Sequence, residues 1–270
     1  MIYPLSQIEC LPALGKFINK IYCFESQGEF NDTILNRVEP NGMLKLVLPL
    51  ENTITSKSND KIFNLQQNQI ALAGIFDSTF RIETTGNILT KAIIIEFTPI
   101  GTYRFFSINQ RELSNRFYSF YDLFGKTILE IEDRIQDEPL IENKILLLQK
   151  FLLASFLKTE SDSVLDFCIE SIFKYHGIIT INELERQTGY SSRWLNQKSE
   201  YKLGVNLKTF SSIIRFHTVL QSFTSKSDYN LDFKTYYEYY YDQSHFINEF
   251  KRFSGFTPHK FIKEAFPTKE

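Results

Sequence analysis

The sequence predicts an α+β chain. A small β barrel or sandwich with added helices fills the N-terminal half, and an all-α domain fills the C-terminal half. Three observations carry this. The first hundred residues hold short β-rich runs separated by polar turns. Glu142–Lys158 is apolar over most of a helix circumference. Tyr241–Lys263 fits a helix start, an apolar stripe, a glycine stop and a second helix start into 23 residues. A length of 270 residues suits two domains, and 43% hydrophobic content supports real cores.

Met43–Leu50, Gln69–Phe76 and Thr90–Phe97 read as strands. The turns that punctuate them are Asn41-Gly42, Glu51-Asn52, Ser58-Asn59-Asp60 and Thr85-Gly86-Asn87. After Pro99 the texture changes. Arg111–Tyr118 is mixed, Ser119–Gly125 follows, and Lys126–Asp137 has helical spacing that Pro139 ends. The breadth of the apolar surface on Glu142–Lys158 predicts burial on several sides, by the β domain, a second subunit or both. The polar run Lys158–Ser163 is the best linker. The expected domains are therefore 1–158, β-rich to residue 100 and helical over 101–158, and 159–270. From Val164 onward every periodic segment reads as helix.

Composition narrows the function classes. Net charge is −2. Residues 1–161 carry 16 basic and 19 acidic side chains, and residues 162–270 carry 14 and 13. The C-terminal half is thus only weakly basic, which predicts modest non-specific affinity for nucleic acid. Cys10, Cys23 and Cys168 form no even framework and no C-x-x-C, as expected of reduced thiols in a cytoplasmic protein. Cys10 or Cys23 as a redox sensor is the alternative to a small buried hydrophobe. Met1–Ser6 has no signal-peptide pattern, and Ile145–Leu157 is too short to span a membrane. All four histidines, His176, His217, His245 and His259, lie beyond residue 175. That disfavours imidazole-ligated metal or a Ser-His-Asp site in the N-terminal half. No G-x-S-x-G, P-loop or G-x-G-x-x-G occurs. Glu130, Glu132 and Asp133 read as a solvated helix face. The expectation is a non-enzyme with no cofactor and no metal.

Two C-terminal segments have the grammar of a reading helix. In the first, at about 180–204, Ile181 and Leu184 sit on a short helix and Gly189 makes a turn. Ser191 caps a second helix, which Gly204 stops. Arg193, Asn196, Gln197 and Glu200 share one face, and Arg, Asn and Gln can pair bidentately with base edges. A joining helix follows over Asn206–Phe223, with Phe210, Ile213, Ile214 and Leu220 as its apolar side. In the last segment Asp242 caps a helix over Gln243–Ser254. Phe246, Phe250 and Phe253 form its back, and His245, Asn248, Glu249 and Arg252 form another face. Gly255 ends it, and Thr257-Pro258 starts the next helix.

The run Y-D-Q-S-H-F-I-N-E-F-K-R-F-S-G-F-T-P resembles the C-terminal signature of AraC/XylS-type transcription regulators. The stretch Glu96–Phe106 followed by Tyr121–Gly125, F-x-P-x-G-x-Y and then D-L-F-G, resembles N-terminal domains of some AraC-type regulators. The resemblance implies two helix-turn-helix units that dock in consecutive major-groove segments about 34 Å apart. The residues expected at DNA are Ser191, Ser192, Arg193, Asn196 and Gln197 in the first unit. In the second they are Gln243, Ser244, His245, Asn248, Lys251 and Arg252. Gln243 and Ser244 suit a phosphate at the helix start. The implied protein is a sequence-specific regulator, by preference an activator. The N-terminal domain would sense a small-molecule effector and dimerise, and RNA polymerase would be a partner. The chain departs from the pattern at Glu185 and Thr235 (usually Ala), Ser199 (usually Phe), Lys234 (usually apolar), Tyr239 (usually the turn Gly) and Asn248 (often Arg). A left-handed turn at Tyr239 would cost about 1–2 kcal/mol, so a different turn geometry is expected there. Two rivals stand beside this reading: a degenerate regulator that pairs with proteins without specific DNA binding, and an enzyme fused to a DNA-binding module.

Overall fold

A computed structural model of the chain describes residues 9–27, 37–58, 61–84, 89–156, 160–225 and 238–265. Its N-terminal part is built on strands β1 (Ile18–Gln27), β2 (Arg37–Val38), β3 (Leu44–Glu51), β4 (Ile54–Ser58), β5 (Lys61–Leu65), β6 (Ala71–Ala73), β7 (Phe80–Thr84), β8 (Leu89–Phe97) and β9 (Phe117–Ser119). They form two antiparallel sheets, a five-stranded one in the order β1-β8-β3-β6-β9 and a four-stranded one in the order β2-β7-β4-β5. Alternation along the strands explains the layering. Leu46, Leu48, Ile93 and Ile95 face the helices and join the main core. Val47, Ala92, Phe80 and Phe117 belong to a second cluster between the sheets.

The α+β expectation holds, and several boundaries move. The strand expected over Gln69–Phe76 is only Ala71–Ala73 long. A strand lies beyond residue 100: Phe117–Ser119 pairs with β6 at the edge of the five-stranded sheet. Helix α1 (Pro99–Phe105) starts on Thr98, whose hydroxyl accepts from the Gly101 N–H at 3.0 Å. The helix α2 (Phe120–Phe124) is capped by Ser119, and a 3-10 turn over Gly125–Ile128 precedes α3 (Leu129–Asp137). Glu132 on α3 corrects the solvated-face expectation. It is buried and accepts from the Ile70 N–H at 2.8 Å, just before β6.

The broad apolar helix is α4 (Ile141–Phe156). Ile145, Leu148 and Leu152 are fully buried. Gln149 is buried with them because its amide oxygen accepts from the Leu11 N–H at 2.6 Å. The polar run expected as linker, Lys158–Ser163, includes Asp162, which is buried and caps α5 (Ser163–Lys174). Then come α6 (Ile181–Thr188), α7 (Ser192–Leu203), α8 (Leu207–Ser225), α9 (Gln243–Ser254) and α10 (Pro258–Ala265). Lys234 and Thr235 lie outside the described residues. No helix among the described residues is long and apolar enough to cross a membrane. Cys23 and Cys168 are buried free thiols and Cys10 is half-buried.

Candidate nucleic-acid interface and the cleft beside it

Helix α6 begins with a reciprocal capping box between Thr180 and Glu183, a signal that the apolar spacing alone did not use. Gly189, at φ +75°, turns the chain, and the Ser191 hydroxyl accepts from the Trp194 N–H at 3.3 Å to start α7. Tyr190 stacks on Trp194 with ring centroids 4.2 Å apart. Ser191, Arg193 and Gln197 are exposed, and Ser192 and Asn196 are half-buried. Two members of the expected reading face are occupied within the protein. The Asn196 amide oxygen accepts from the Leu207 N–H at 3.1 Å and so holds the start of α8. Glu200 is paired with Arg111 of the N-terminal half. Ser199, in place of the usual core Phe, is fully buried and donates to the Val205 carbonyl at 2.7 Å.

Helix α9 starts on Asp242, whose carboxylate accepts from the His245 N–H at 2.7 Å. Phe246, Phe250 and Phe253 are buried, and Phe250 packs edge-on against Phe216 and Phe261. Gln243, Ser244, His245, Asn248, Lys251 and Arg252 are all exposed. Glu249, expected on the same outward face, turns inward. It is buried and grips Arg215 of α8 with two hydrogen bonds, 2.9 Å to Nε and 2.6 Å to Nη2. Such a fork-to-fork pair is strong and directional. Tyr239 sits in a 3-10 turn outside the left-handed region, so that turn does differ from a glycine turn.

Arg252, His245 and Asn248 line a groove of about 640 Å³ whose other wall includes Lys208, Ser212 and Arg215 of α8. The sequence reading missed Lys208 and Ser212. Their signal was present, since Lys208, Ser212 and Arg215 fall at i, i+4 and i+7 on the polar side of the joining helix.

Both candidate helices touch the N-terminal half, α7 through the Glu200–Arg111 pair and the Lys202–Tyr103 contact, and α7 is also held within its own domain by the cap of α5. Asp162 takes Lys198 and Lys202 of α7 at 2.9 and 3.0 Å. Burial pushes the Asp162 carboxyl up, but hydrogen bonds from Lys198, Lys202 and the Leu165 N–H outweigh it and hold the group below its usual range. Lys202 also lies over the Tyr103 ring at 4.5 Å. At α9, Arg252 meets Asp77 at 3.7 Å, and the Arg37 guanidinium lies over the Phe256 ring at 4.5 Å.

Between the sheets and α8 lies a cleft of about 220 Å³, with Lys20, Arg37, Glu39, Asn41, Glu96 and His217 among its walls. Glu96 is its buried anion. It accepts from the amides of Asn19 at 2.6 Å and Asn41 at 2.9 Å, and lies 3.6 Å from the Lys45 ammonium. Burial alone would raise its carboxyl, but Lys45, Lys20 and the two amides hold it below the usual range. Burial pushes Glu39 up to about 7 and lowers His217. No group of His, Cys, Asp and Glu side chains arranged to hold a metal ion occurs among the described residues.

Comparison with known proteins gives the fold a precedent. Residues 6–119 match the model of a family described as a domain of unknown function (DUF6597). No curated protein matches the sequence. The architecture is similar to that of ToxT from Vibrio cholerae. An apo ToxT variant superposes with a TM-score of 0.50 at 10% identity, over 90% of this chain and 97% of that one. ToxT bound to (E)-4-(8-methylnaphthalen-1-yl)but-3-enoic acid gives a TM-score of 0.50 at 10% identity, over 89% and 98%. The shared fold covers both halves of the chain.

Proposed function

We propose that this protein is an AraC-type transcription regulator that reads duplex DNA through α7 and α9 and performs no catalysis. One observation carries the reading. Two capped helices, each stopped by a left-handed glycine, hold Arg193 and Gln197, and Gln243, Ser244, His245, Asn248, Lys251 and Arg252, out to solvent. These are side chains that pair with base edges or phosphates. The signature at 241–258 and the architecture shared with ToxT support it.

The cleft beside α8 supports control by an effector. His217 and Leu220 of the joining helix form part of its wall, so an occupant touches the element between the two readers. ToxT has been crystallised with a small apolar carboxylic acid. In this reading an effector or dimerisation through the N-terminal half sets access of α7 and α9 to DNA. Activation of transcription and contact with RNA polymerase belong to the same proposal.

The test is selection from a randomised duplex library by the full chain, with the enriched sequences retested at two salt concentrations. The expected result is one motif, or two half-motifs about one helical turn apart, with affinity falling steeply as salt rises. Arg193→Ala and Asn248→Ala should each relax preference at one position by about 1–3 kcal/mol. No enrichment would overturn the reading in favour of a protein-interaction role.

A further inference from the structure

Behind the cleft, between the two sheets, lies a more enclosed apolar chamber of about 60 Å³. Cleft and chamber share Tyr22, Phe24, Val38, Lys45, Ile82 and Ile94 as walls, so the two adjoin. Phe80 and Phe117 face the chamber and not the cleft, and give it an aromatic wall. Ser56 also faces the chamber and not the cleft. Strand alternation turns Ile54 and Ser56 inward, and Thr55 and Lys57 away.

Ser56 is 1% exposed, and its hydroxyl has no hydrogen-bond partner among the described residues. A buried hydroxyl without a partner is unfavourable, and an alanine there would serve the core better. A water would need two to four polar neighbours. The chamber's other polar lining groups are Tyr22 and Lys45, and the Lys45 ammonium is already held by Asn41 at 2.9 Å and by Glu96. At the open end the charges lean positive. Lys20, Arg37 and Lys45 face Glu96 and Glu39; burial pushes the Glu39 carboxyl up to about 7 and the Lys45 ammonium down, which leaves Lys20 and Arg37 against Glu96 at the mouth.

We infer that cleft and chamber together take one ligand: a single-ring or short-chain carboxylic acid that carries a hydroxyl or carbonyl at the end remote from its carboxylate. The carboxylate sits at the mouth beside Lys20 and Arg37, the apolar body runs from the cleft into the chamber, and the remote oxygen meets the Ser56 hydroxyl. The inference rests on the effector reading above and adds the ligand's class and the residue that selects it.

The experiment is calorimetric titration of the full chain, without DNA, with two matched pairs. They are 3-phenylpropionate against 3-(4-hydroxyphenyl)propionate, and hexanoate against 6-hydroxyhexanoate. The hydroxylated member of at least one pair should bind about tenfold tighter. Ser56→Ala should abolish that preference and leave the unsubstituted acid within about twofold of its original affinity. Equal binding within both pairs, a preference that survives Ser56→Ala, or no binding of any of the four at millimolar concentration would each overturn it. Because no DNA is present, failure here is separate from failure of the library selection.

Discussion

Helices α7 and α9 share one frame. Each starts on a side-chain cap, Ser191 or Asp242, runs for 12 residues, and stops at a left-handed glycine, Gly204 or Gly255. What surrounds the frame differs. At the equivalent inner position α9 has Phe250, locked among phenylalanine rings, and α7 has Ser199, hydrogen-bonded to backbone. Outside, α7 is held along its second half by Asp162, Arg111 and Tyr103. Helix α9 meets the N-terminal half at Arg252, and Phe256 just past its end meets it too. One reader is anchored from within its own domain. The other is held by Asp162 of its own domain and also by Arg111 and Tyr103 of the domain that would regulate it.

Substitutions can break or sharpen this contrast. The largest expected effect is Phe250→Ala, about 4 kcal/mol in urea unfolding, against about 1 kcal/mol for Ser199→Ala. Equal losses would mean that α7 is anchored internally as firmly as α9.

The two stop glycines come next. A Cβ on Gly204, at φ +87°, would lie 2.6 Å from the Gln110 carbonyl oxygen, which is backbone of the N-terminal half. A Cβ on Gly255, at φ +79°, would meet the end of the Arg37 side chain at 2.8 Å, and that end can move. Gly204→Ala should therefore cost about 3 kcal/mol and Gly255→Ala about 1 kcal/mol, read as the shift in urea midpoint. The reverse order would place the firmer contact at α9.

Asp162→Asn should cost about 1 kcal/mol at neutral pH, because it removes the charge that holds Lys198 and Lys202. The folded carboxyl lies below its ordinary 3.8, so its contribution is complete above that value and fades as pH falls through the folded value. Unfolding of wild type and variant should thus converge only in strong acid, and a gap that persists there would assign the effect to something other than charge. The smallest effect is expected for Asp77→Asn, under about 0.5 kcal/mol, since the partner Arg252 is largely exposed. A larger loss in thermal unfolding would show α9 to be tethered as strongly as α7.

The frame was legible in the sequence because caps and glycine stops are local: Ser191, Gly204, Asp242 and Gly255 stand where the residue types put them. Helical periodicity misled where it assumed that polar means outward. Asn196 and Glu249 lie on polar stripes, yet one caps α8 and the other grips Arg215. Glu132 likewise left its stripe to satisfy Ile70. The contacts that tether α7, Arg111 to Glu200 among them, join residues far apart in sequence, and no local pattern announces them. Strands as short as Arg37–Val38 and Phe117–Ser119 were missed because two or three residues show no period. The cleft and the Ser56 hydroxyl emerge only once the sheets face one another.

Arg37 has a consequence of its own. Its guanidinium covers the Phe256 ring just past the end of α9, and its side chain is also part of the cleft wall. One group cannot follow two masters independently. A molecule that draws Arg37 toward the cleft alters the footing of Phe256, and anything that shifts α9 alters the cleft. Thermodynamic reciprocity then makes the two influences equal: whatever factor an occupant of the cleft imposes on binding at α9, binding at α9 returns to the cleft.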